Sequence, residues 1–89
     1  MLPVVNENTR ALILEAVLAE RERQDQMHGE ANQGNTDLKW LAILTEEVGE
    51  VAKDILENKR SGMFEEVIQC AAVCFAWAEA FQNGAIIVE

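Results

Sequence analysis

Glu46, Glu47 and Glu50, followed by Glu66 and Gln69, are the residues of this chain whose types and spacing could do chemistry. Oxygen donors drawn from two successive segments suit a hard divalent cation such as Mg²⁺. A cation held that way polarises phosphoryl oxygens and lowers the pKa of a bound water. If residues 37–59 form a helix, Glu47, Glu50 and Asp54 fall within an arc of about 60° on the wheel. That arc borders an apolar stripe of Leu41, Leu44, Val48, Val51, Ala52 and Ile55. Glu46 lies further round, toward solvent. Glu50 and Asp54 are like charges at i and i+4, which costs only a few tenths of a kcal/mol. A plain solvated acidic face therefore stays open as a reading.

Glu66 is harder to explain as solvent decoration. The segment after it is apolar almost all round, from Val67 and Ile68 through Cys70–Ala78 to Ala80 and Phe81. A helix of that composition is buried on most sides. Glu66 and Gln69 project from it at i and i+3. A buried carboxylate needs a partner. Three are available: a metal ion, a cation such as Lys53, or the positive end of its own helix.

Three helices must position these groups. The first is expected from about Thr9 to His28, capped by Asn6 or Asn8 and ended by Gly29. Its apolar residues Leu12, Ile13, Ala16, Val17 and Ala19 sit in the first half, and Glu20–Gln26 is wholly polar. Such a helix either projects past the core or lines a wet cleft. Gly29–Thr36 reads as a loop and the best candidate for a mobile segment. Thr36 or Asn35 can cap the second helix, expected from Asp37 to about Lys59. Arg60-Ser61-Gly62 is short enough to make helices two and three antiparallel neighbours. Ser61 can cap the third, expected from Met63 to about Asn83, with Gly84 as its stop. The apolar tail Ala85–Val88 is expected to dock on a partner surface, and Leu2–Val5 could do the same.

The whole chain, residues 1–89, fits one domain, and 49% of it is apolar. A domain this small buries only roughly 60–65% of its unfolded surface. So much apolar sequence in so small a domain suggests burial between subunits. The net charge of −9 argues against a nucleic acid polymer or an anionic membrane as partner. A nucleotide remains possible, because a metal can bridge acid to phosphate. Cys70 and Cys74, four apart on an apolar helix, read as small core residues in a reducing compartment. No apolar run is long enough to span a bilayer and no secretory leader is visible, so a cytoplasmic location is expected.

The set Glu46-Glu47-x-x-Glu50, a spacer, then Glu66-x-x-Gln69 resembles the MazG-like all-α nucleoside triphosphate pyrophosphohydrolases. Trp40-Leu41 before the acids, Val51-Ala52-Lys53 after them, and Glu20–Asp25 on the preceding helix are similar too. The likeness spans about residues 17 to 82. It implies an all-α, antiparallel bundle of three main helices, completed as a four-helix core by oligomerisation. A homodimer or homotetramer is expected, built on helices two and three of paired subunits. The resemblance implies that Glu47, Glu50 and Glu66 bind Mg²⁺, for which Mn²⁺ could substitute, with Gln69 at the fourth position. The reaction implied is cleavage of a nucleoside triphosphate to the monophosphate and pyrophosphate, cleaning the nucleotide pool. Glu46 would orient a metal ligand or act as general base for the attacking water. One position departs from the family pattern. Gln69 stands where the family has Asp, and an amide ligates without adding charge.

Other side chains have two readings each. Lys53 could touch a phosphate or pair with Glu50 or Glu57 on its own helix. Trp40 could stack on a base or anchor an interface. Trp77 reads as core or interface. Arg21, Arg23 and Gln24 could reach substrate from the polar half of helix one, or form a solvated face. His28 reads as a helix-end residue. The alternative function is a non-catalytic nucleotide-binding or regulatory module with a degenerate metal site. A purely structural bundle with an acidic face is the third possibility.

Overall fold

The computed structural model describes residues 6–29 and 34–88. Within them the chain is helical, with α1 over Glu7–His28, α2 over Asp37–Leu56 and α3 over Met63–Gln82. The N-terminal apolar segment and residues 30–33 of the expected loop lie outside the described residues. No helix among them is long and apolar enough to cross a membrane.

Local chemistry explains each helix end. α1 starts two residues before the expected Thr9, because the Asn6 side chain accepts a hydrogen bond from the Thr9 N–H at 3.1 Å. Thr36 caps α2 in the same way, its Oγ1 accepting from the Lys39 N–H at 3.1 Å. α2 stops at Leu56, short of the expected Lys59. Asn58 turns left-handed (φ 57), and the Lys59 N–H closes back on the Asp54 carbonyl at 2.8 Å. That is a Schellman ending with asparagine in the glycine position. α3 ends the same way: Gly84 has φ +63 and the Ala85 N–H reaches the Ala80 carbonyl at 2.8 Å. Ser61 does not cap α3. Gly62 holds the cap position and makes no side-chain hydrogen bond there.

The helices run up, down and up. α3 lies in the middle, and α1 and α2 each pack against it without packing on each other. Two small cores result. Trp40, Val73, Ala76 and Ala80 join α2 to α3, with Ile43, Leu44, Trp77 and Ile86 packed around them. Val17, Ile68 and Ala72 join α1 to α3. The alanines on α3 let both neighbours approach closely. Trp77 sits at the edge of the first core, where its Nε1–H donates to Asp37 Oδ1 at 2.8 Å.

Two expectations are corrected. The C-terminal tail docks on its own chain: Ile86 packs on the Trp40 core, and the Ile87 N–H donates to the Asn35 carbonyl at 3.0 Å. Gly34 (φ +72) is needed at that junction, because a Cβ there would come within 3.1 Å of Ile87 Cδ1. Only Val88, 90% exposed, keeps the character expected of the whole tail. Secondly, α3 is not covered on most sides by this chain. Phe64, Val67, Phe75 and Phe81 are exposed, and so is Cys74, while Cys70 is half-buried.

Candidate functional site

Because α1 and α2 lean on α3 without meeting, they leave a cleft between them, floored by α3, of about 600 Å³. Its α1 wall is the polar half of that helix, including Arg21, Arg23, Gln24 and His28. Its α2 wall carries Trp40, Ile43 and Glu47, and its floor Val73, Ala76 and Ala80. Of the two possibilities for α1's polar half, the lining of a cleft is the one realised.

The α1 wall is braced by ion pairs. Arg21 reaches across to α3, its Nε donating to Glu79 Oε1 at 3.0 Å, and pairs along its own helix with Asp25 at 3.0 Å. Burial works against the Arg21 charge, but the bonds to Glu79 and Asp25 outweigh it and raise its pKa. Arg23 forks onto Glu20, Nε to Oε1 at 2.7 Å and Nη2 to Oε2 at 2.6 Å, and Gln24 donates to the same carboxylate at 3.1 Å. The Arg23 hydrogen bond is the main reason Glu20 is held below the usual carboxylate range. Glu47 faces this wall. Partial burial pushes its pKa up, the charges of Glu46, Glu20 and Glu50 push the same way, and Arg23 opposes them.

The second feature is the acid set between α2 and α3. Glu66 has its pKa raised to about 7. The adjacent Asp54 carboxyl, able to share a proton with it, is the largest cause, followed by desolvation and the charges of Asp54, Glu50 and Glu47. Glu66 Oε2 is buried and nothing donates a hydrogen bond to it. Of the three partners open to Glu66 on sequence grounds, Lys53 is not the one used. Lys53 is exposed and makes no ion pair among the described residues. The side chain beside Glu66 is another acid, Asp54. Four carboxylates with no cation among them are the donor chemistry of a hard-cation site. Among the described residues, however, no three Asp, Glu, His or Cys groups converge closely enough to share an ion.

The structure therefore sorts the expected site residues. Trp40, Arg23, Gln24 and Glu47 come together on the cleft. Glu47, Glu50 and Glu66 come together electrostatically with Asp54, which stands nearest Glu66. Glu47 belongs to both groups. Glu46 and Lys53 are exposed and off the cleft wall. Gln69 is half-buried and makes no hydrogen bond to the acids. Trp40 is 4% exposed, so it closes the end of the cleft as a core side chain and offers little open ring face for stacking. Its Nε1–H is buried without a partner. Glu79 was not singled out in the sequence. A signal existed: Glu79 follows Ala72 and Ala76 along one face of an apolar helix, where a carboxylate must find one of the chain's seven Lys and Arg residues.

Compared with protein-family models, with curated proteins and with solved structures, the chain has no match.

Proposed function

We propose that the chain is a Mg²⁺-dependent nucleoside triphosphate pyrophosphohydrolase of the MazG-like kind, cutting between the α and β phosphates. The observation that carries this reading is the double membership of Glu47. It stands at the meeting point of an acid set and of a cleft walled by arginines. Glu47, Glu50 and Glu66 would hold the ion, with Asp54 in the position for which the sequence suggested Gln69. Bound there, the ion supplies charge neutralisation at the phosphates and an acidified water. The chain's own groups do the rest. Arg21 and Arg23 offer positive charge to a polyphosphate from the opposite wall. Trp40 and α3 give the nucleoside an apolar end to rest on. The acids' mutual repulsion favours binding of a cation. The reading includes self-association through α2 and α3 and a cytoplasmic place of work.

Incubating the protein and Mg²⁺ with a panel of ribo- and deoxyribonucleoside triphosphates tests it. Monophosphate and pyrophosphate should form from at least one of them, and Glu47→Gln should lower the rate by about two orders of magnitude or more. Pyrophosphate release that persists in excess chelator, or no turnover of any triphosphate, sinks the reading. A second reading has its own support in Gln69 and in the absence of three convergent ligands: a module that binds nucleotide without cleaving it. It predicts calorimetric binding with no product.

A further inference from the structure

The exposed side of α3 has an order that burial in this chain does not require. Phe64, Val67, Ala71, Cys74, Ala78 and Phe81 are all exposed and follow one another at alternating steps of three and four. That is the spacing of a two-helix seam. No charged residue interrupts it, in a chain carrying 16 acids. The row is also palindromic in size. Phe64 and Phe81, Val67 and Ala78, and Ala71 and Cys74 share one midpoint, between Ala72 and Val73.

We infer that this row is an isologous interface, on which α3 of a second copy packs antiparallel about a two-fold axis at that midpoint. Phe64 then meets the partner's Phe81, Val67 the partner's Ala78, and Ala71 the partner's Cys74. Small residues at the centre let the axes approach to about 8 Å, and the phenylalanines close the two ends. Charge selects the antiparallel sense. A parallel pair would crowd the first-turn acids Glu65 and Glu66 of both copies at one end. The antiparallel pair sets them at opposite ends of a helix roughly 30 Å long. Area is sufficient. Phe64 is 58%, Val67 49% and Phe81 59% exposed. By the wheel, exposed Leu41, Val48 and Ile55 of α2 extend the same surface on the side away from α1. Together these side chains leave on the order of 700 Å² of apolar surface, near the ~800 Å² each partner gives a standard interface and above what monomers leave open in one patch. The inference rests on the self-association in the reading above and is independent of the hydrolysis.

Cysteine crosslinking tests the register. In this pairing the two Cys74 Cα atoms stand roughly 6 Å apart, within disulfide range. Mild copper–phenanthroline oxidation should convert most of the Cys70→Ala variant to a covalent dimer and leave Cys74→Ala uncrosslinked. Ala78→Arg, at an exposed position outside both cores, should sediment as a monomer with its helicity unchanged. A wild-type dimer in sedimentation that fails to crosslink through Cys74 overturns the α3 pairing and leaves self-association standing. A wild-type monomer at micromolar concentration overturns both and assigns the stripe to a different protein partner.

Discussion

Trp40 shows what one side chain settles and leaves open. Its ring joins Val73, Ala76 and Ala80 in a core with few other large members, while its N–H is buried unpaired. Truncation and trimming should therefore differ. Trp40→Ala should cost about 3–5 kcal/mol. Trp40→Phe should cost less than about 1.5 kcal/mol, since it keeps most of the packing and removes the orphan donor. Urea unfolding of both variants measures this, and equal costs would show that the ring packs less tightly than its burial indicates. From sequence, Trp40 stood between base-stacker and interface anchor. Periodicity says which face of α2 is apolar but not which helix it meets, and the alanines that receive the ring are forty residues away in the chain. Arg21 was legible as a cation on a polar face; its tether to Glu79 depends on how α1 crosses α3.

Between α2 and α3 the decisive interaction is repulsion. An unfolded Glu66 would titrate near 4.5, against about 7 in the fold. Across that window the native state holds more protons than the unfolded one, so stability falls as pH rises. The ion-free protein should be most stable below about pH 4.5 with respect to this group, and should have lost that contribution by about pH 7. Glu66→Gln should flatten the slope of melting temperature against pH, and Mg²⁺ should raise the melting point most near neutrality. A wild-type melting point independent of pH between 4.5 and 7 would contradict the proximity of Asp54. At this scale the sequence was most legible. The three helices follow from caps, glycines and apolar periodicity, and the acids were expected on facing sides of α2 and α3. The misjudged ends, at Lys59 and Ser61, turned on whether Asn58 or Gly62 would go left-handed, which residue type permits but does not dictate. The pairing of Asp54 with Glu66 needed the register of two helices, which spacing alone does not give.

For the molecule as a whole, a net charge of −9 on 89 residues opposes both compactness and association of copies. Raising NaCl from about 20 mM to about 300 mM shortens the Debye length from roughly 20 Å to roughly 6 Å. Both the melting temperature and the dimer fraction should rise across that range, read by scanning calorimetry and sedimentation. A melting point that falls instead would mean the Arg21 and Arg23 pairs outweigh the general repulsion. Self-association was legible only as a surplus of apolar residues, because composition shows that cover is missing without showing where. The arrangement around α3 also divides the molecule mechanically. α1 and α2 share no packing surface, so α1 is retained by the small Val17 cluster and the Arg21–Glu79 pair alone, while α2 and α3 are joined by a short turn and the Trp40 core. α1 can swing outward without loosening its neighbours, and the same swing widens the cleft. Admission of a bulky guest and the first fraying of the fold are then one motion, and whatever grips both walls also clamps the least secured helix.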